Sequence, residues 1–78
     1  MKEEPSEFNK MVGARLKTAR ERAGISQREL GNALGLSESS YRLEAGWRGM
    51  TCALLLSAAL ELEVTTDFLF GIELEEEL

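Results

Sequence analysis

Gln27, Arg28, Ser37, Glu38, Ser39, Arg42 and Arg48 lie in one short stretch of the chain and share one kind of chemistry. They bring three fixed positive charges together with several hydrogen-bond donors and acceptors. That set can meet a phosphate-bearing partner, and by charge alone it reads equally well as solvated helix faces. A guanidinium pairs with phosphate oxygens, a serine hydroxyl meets several base edges, and a glutamate can accept from the amine of cytosine. Gln27 stands where a helix should open, so its side chain and the free backbone N–H groups can meet an anionic oxygen. Plainer readings stand beside these. Gln27 would look the same as a simple helix-opening residue. Glu38 is favoured by the helix dipole in a first turn and repelled by phosphate, so its two readings weigh equally.

Catalysis has little to work with. The chain has no histidine, no glycine-rich phosphate loop and no carboxylate pair that its helices would bring together. Cys52 is the single cysteine, which excludes an internal disulfide and leaves a metal only carboxylates as further ligands. We therefore expect no enzyme activity, no cofactor, no metal and no small-molecule substrate.

The elements that must position these residues are helices, since no alternating run or hairpin turn signals a strand. Ser6 can cap a first helix that runs to about Arg22 and stops at Gly24, with Phe8, Val12, Leu16, Ala19 and Ala23 on one face. Ser26 followed by Glu29 is a capping box, so a second helix starts at Gln27 and ends by Gly35. Gly31 in its middle costs about 1 kcal/mol relative to alanine and predicts that another helix crosses there. Ser37 can cap a third helix over Glu38 to Ala45, closed by Gly46. Thr51 caps a fourth from about Cys52 to Glu61, and a fifth runs from about Thr66 to Phe70 and ends at Gly71. The second and third helices, joined by a tight turn around Gly35, have the spacing of a helix-turn-helix.

The chain is 78 residues and 8.7 kDa, the size of one small domain spanning 1–78, with its core over about 7–71 and an acidic tail at 72–78. Its net charge of -5 opposes a nucleic-acid ligand only on average. Residues 10–48 hold eight cations against four acids, whereas residues 49–78 hold seven acids and no cation. One end can therefore offer a basic face while the other carries a different contact. The lone thiol, the missing signal-peptide core and apolar runs far shorter than the ~20 residues of a membrane span place the chain in the cytoplasm, with no membrane partner.

The stretches "RLKTARERAGISQRELGNALGLS", "RLEAGWR" and "LLLSAALELEVTTDFLFG" resemble the lambda-repressor-like, or XRE, helix-turn-helix family from Val12 to Gly71. Arg15 and Arg20, Ser26 to Gly31, Gly35 to Ser37, Arg42 to Gly46 and Leu69 to Gly71 carry the likeness. It implies a compact all-α, five-helix DNA-binding domain whose third helix enters the major groove, with double-stranded DNA as partner. It also implies that Arg20 and Glu44 form an ion pair fixing the first helix against the third. Three departures stand out. Met50 replaces a usual proline and Glu63 a usual glycine, and one residue is missing between the turn serine and Glu44. The least disruptive alignment puts Tyr41 at the buried apolar position, which keeps Ser37 to Tyr41 intact. Everything after it is then rotated by about 100° of helix or absorbed by an earlier helix end. Fewer base pairs would be read, or Arg42 would read in place of the lost residue.

Arg42 and Arg48 are the expected phosphate contacts, Glu38 and Ser39 the expected base readers. Arg15 and Lys17 can touch the DNA backbone but read more readily as a solvated face, and Tyr41 reads as a core residue rather than a base-stacking aromatic. Trp47 reads either as packing under its loop or as cover for sugar and phosphate, and Cys52 as an inert thiol on the apolar face of the fourth helix. Leu54, Leu55, Leu56, Ala58, Ala59, Leu60 and Leu62 wrap more of that helix than one core can use. We expect Leu56, Leu60, Phe68, Phe70 and Ile72 to form a homodimer contact, as the last helix commonly does in the family. The sequence thus supports a regulator that binds a two-fold related operator as a homodimer. Its rival is a protein-binding module that keeps the fold and acts through a partner protein, a reading favoured by the shortened third helix and the acidic balance.

Overall fold

The computed structural model describes residues 4–72; most of the acidic tail, from residue 73 onward, lies outside them. Five helices follow one another: α1 (Glu7–Ala23), α2 (Gln27–Ala33), α3 (Tyr41–Ala45), α4 (Cys52–Leu62) and α5 (Thr66–Phe70). No strand occurs among the described residues. Four helix starts are capped as their side chains predict. The hydroxyls of Ser6, Ser26, Thr51 and Thr65 accept from backbone N–H groups one turn on, and Glu29 returns the bond to the N–H of Ser26 at 2.7 Å. Each of these bonds meets one donor that the helix itself leaves unpaired.

The core is a lattice of aliphatic side chains from all five helices. Val12, Leu16 and Ala19 of α1 meet Leu30 of α2 and Leu34 at its C-cap, Leu43 of α3, Leu55, Ala58, Ala59 and Leu62 of α4, and Leu69 of α5. Long α1 is the axis on which α3 and α5 lie. Arg15, expected in solvent, instead ties α1 to α5. Its Nε donates to the carbonyl of Phe68 and its guanidinium carbon lies 4.4 Å from the centre of the Phe68 ring. Phe8, expected in the core stripe, is 55% exposed and rests on the Phe70 ring at a centroid distance of 6.2 Å. Cys52 is exposed rather than packed on the apolar face of α4, because as the first residue of that helix it stands clear of the core.

Two glycines set how closely the helices approach. A Cβ on Gly13 would lie 2.3 Å from the carbonyl oxygen of Leu43, so α3 crosses α1 backbone to backbone. A Cβ on Gly31 would lie 2.2 Å from the carbonyl oxygen of Glu38. The crossing expected at Gly31 is therefore real, but it is made by the turn before α3 and not by another helix.

The end of α4 carries a local conflict. Glu63 is its C-cap in the left-handed conformation, at φ 56° and ψ 44°, where a side chain costs about 1–2 kcal/mol. The Glu63→Gly variant should remove that strain at the expense of a more flexible unfolded chain, for a net gain of about 0.5–1 kcal/mol. A thermal melt should rise by several degrees, at roughly 4–8 °C per kcal/mol for a domain of this size. An unchanged or lowered midpoint would show that the Glu63 side chain makes a compensating contact.

Candidate nucleic-acid interface

The third helix differs from its sequence expectation. It starts at Tyr41 and not at Glu38, and its N-cap is Ser40, which makes no side-chain cap bond, in place of Ser37. Residues 37–39 are irregular. Tyr41 is 55% exposed and Ser40 is fully buried, so the alignment that put Tyr41 in the core is wrong by one position. The missing residue has been taken out before the buried position. Everything from Ser40 onward keeps its register, and the loss falls on the first turn of the helix.

A carboxylate explains why a serine wins the buried place. Glu44 is 7% exposed, and four bonds reach its two oxygens. Arg20 Nε donates to Oε2 at 2.7 Å and Nη2 to Oε1 at 3.2 Å; Ser40 Oγ donates to Oε2 at 2.7 Å and Gln27 Nε2 to Oε1 at 3.1 Å. Arg20 also donates to the carbonyl of Ile25 at 2.8 Å. A hydroxyl at position 40 completes this set where a phenyl ring could not. Burial alone would raise the Glu44 pKa, but bonds from Arg20, Ser40 and Gln27 outweigh it and hold the carboxyl below its ordinary value. The bond to Glu44 in turn raises Arg20 against the opposing effect of burial. The ion pair between α1 and α3 is thus present as the family resemblance implies.

The structure gathers five of the seven residues singled out from the sequence around α3. Gln27 points its amide into the Glu44 cluster, and its carbonyl accepts from the N–H of Ser40 at 3.0 Å, which sets the starts of α2 and α3 side by side. Glu38 Oε2 lies 3.3 Å from Arg48 Nη1 in an exposed ion pair, and the N–H of Arg48 reaches the carbonyl of Arg42 at 3.2 Å. Ser39 Oγ accepts from the N–H of Tyr41 at 3.2 Å, a local turn bond. Glu38 and Ser39 therefore sit on a turn, not on the helical first turn expected of them. Arg28, Ser37 and Arg42 are exposed, and neither Arg28 nor Arg42 forms an ion pair among the described residues. Exposed guanidinium groups beside a short exposed helix can meet phosphates and base edges alike.

The role of Ser40 and the exposure of Tyr41 were missed from the sequence. The one available signal was the spacing of Ser40 and Glu44, which places the hydroxyl one turn from the carboxylate.

The helix-turn-helix domain family matches residues 12–59. The restriction-modification controller protein C.AhdI from Aeromonas hydrophila is 31% identical, with a TM-score of 0.68 over 77% of this chain and 92% of that one. The clp gene regulator ClgR from C. glutamicum is 27% identical, with a TM-score of 0.73 over 87% of this chain and 88% of that one. The hypothetical transcription factor NHTF from Neisseria, 20% identical, shares the fold at a TM-score of 0.72 over 90% of this chain and 85% of that one. No sequence among curated proteins matches the chain.

Proposed function

The chain belongs to the lambda-repressor-like helix-turn-helix family, and from that membership we propose that this DNA-binding transcription regulator grips a two-fold related operator as a homodimer. The observation that carries the reading is the Glu44 cluster. It holds α3 against α1 and α2 despite the missing residue, while Arg42 and Arg48 remain at the surface beside it. In this reading Arg28 and Arg48 hold phosphates, and Arg42 takes over base readout from the shortened first turn. Ser37, Glu38 and Ser39 line the same approach, and Gln27 braces it from within.

Dimerisation is supported by the surplus on α4. Leu56 and Leu60, one turn apart, are 56% and 71% exposed, and Ile72 beyond α5 is 47% exposed. Phe68 and Phe70 already spend part of their surface inside their own chain, so they contribute edges to the contact and the leucines its centre.

Selection of bound duplexes from a random pool, at two salt concentrations, tests the proposal. The recovered sites should contain two half-sites centred about 10 base pairs apart. Arg48→Ala should lower the slope of log affinity against log salt by about one per protomer, about two for the homodimer, whereas Arg42→Ala should change sequence preference by about 1–3 kcal/mol per contact. Leu60→Glu should sediment as a folded monomer. A chain that binds no duplex even at low salt would overturn the regulator and leave a module acting through a protein partner.

A further inference from the structure

We propose that Lys17 and Tyr41 form a seat for one backbone phosphate of the DNA, at the junction of α1, α2 and α3, an inference that rests on the DNA-binding reading above. A cleft of about 120 Å³ opens there, lined by Lys17, Gln27, Tyr41, Glu44 and Ala45. Helical spacing explains why these residues converge. Lys17 lies one turn before Arg20 on α1, and Tyr41 lies one turn before Glu44 and Ala45 on α3. The Arg20–Glu44 bond draws those two faces together, and the start of α2 closes the third side through the bond between Gln27 and Ser40.

The charge in the cleft selects its ligand. Glu44 is the one carboxylate in the lining, but Arg20 neutralises it, Ser40 and Gln27 also bond to it, and it is 7% exposed. Lys17, by contrast, is exposed and forms no ion pair among the described residues. Its ammonium is therefore the uncommitted charge of the cleft. Tyr41 adds a phenol donor on a ring that is 55% exposed, and the Gln27 amide has two N–H groups, of which one serves Glu44. A partner that offers only acceptors and carries negative charge matches this set. The cleft has room for a phosphate group and is smaller than the about 300–1,000 Å³ of sites that hold drug-sized ligands. Its place beside Arg42 sets that phosphate next to the residue proposed to read bases.

Lys17→Gln and Tyr41→Phe should be titrated with a random-sequence duplex and with a selected site at several KCl concentrations, alongside the unaltered chain. Arg22→Gln is the control, since it removes an equal charge from the face of α1 turned toward Phe68. Lys17→Gln should lower the salt slope by about 0.9 per protomer, about 1.8 for the homodimer, and weaken binding to both duplexes, whereas Arg22→Gln should leave the slope unchanged. Tyr41→Phe should weaken both duplexes by a similar factor, about tenfold or more per protomer, without changing the slope, because it removes a hydrogen bond to a charged group but no charge. The seat is overturned if Lys17→Gln behaves like Arg22→Gln, if Tyr41→Phe binds as the unaltered chain does, or if it changes sequence preference, which would make Tyr41 a base reader. Failure of the unaltered chain to bind any duplex would instead overturn the DNA-binding reading and remove the seat with it.

Discussion

Glu44→Ala should cost about 3–5 kcal/mol of folding stability, as removal of one partner from a buried pair does. A chain of 78 residues has about 4–12 kcal/mol in all at the usual stability per residue, so the variant should lose from about a quarter to all of its stability. The loss exceeds that of an exposed ion pair, under ~1 kcal/mol, because Arg20 is left with a side chain 11% exposed and no counter-charge. The bonds from Ser40 and Gln27 lose their acceptor at the same moment. Chemical denaturation followed by circular dichroism reads the effect directly. A loss under about 1 kcal/mol would mean that water replaces the carboxylate without penalty. The same group sets an acid limit. Its folded pKa lies below its ordinary value of 4.5, so its contribution is fully present above that value and disappears as pH falls through the depressed one. The stability gap between the unaltered chain and Glu44→Gln should accordingly be constant near neutrality and narrow in acid.

Gly13→Ala should be the second large loss, with a sign opposite to helix propensity. In the middle of an exposed helix the change would gain about 1 kcal/mol. Here the new Cβ would stand 2.3 Å and 2.5 Å from the carbonyl oxygens of Leu43 and Glu44, and both are backbone atoms that cannot swing aside. Either α3 moves off α1 or α1 bends, at about 1–3 kcal/mol or more for overpacking. Separation would also lengthen the Arg20–Glu44 bonds, so the two losses should not add in the Gly13→Ala, Glu44→Ala double variant. A melting midpoint above that of the unaltered chain would show that the two helices slide past each other without strain.

The caps were legible because each is a local signal. Ser6, Ser26 with Glu29, Thr51, Gly24, Gly46 and Gly71 all act where the sequence puts them, and α5 has the expected bounds. The start of α3 was not legible, since Ser37, Ser39 and Ser40 are equally able to cap. The choice among them is made by chain segments far away in sequence: the carbonyl of Gln27 binds the N–H of Ser40, and the bare backbone of Gly31 receives Glu38. Tyr41 misled for a related reason. Size and aromaticity argue for burial, but the decisive neighbour is a carboxylate that needs a hydroxyl. Among the candidate site residues, exposure of Arg28, Arg42 and Ser37 followed from residue type. The inward turn of the Gln27 amide did not, because it depends on where Glu44 lies in space.

A helix of five residues cannot persist by itself, since isolated helices shorter than about 12–15 residues are marginal in water. The amides of Glu44, Gly46 and Trp47 bond to the carbonyls of Ser40, Leu43 and Arg42, and those bonds last only while α3 stays docked. Hydrogen exchange at these three positions therefore measures how often the docked helix lets go, separately from global unfolding. With Glu44 ionised, α3 should open rarely. In acid its amides should exchange well before those of α1 and α4, leaving a folded scaffold whose third helix comes and goes.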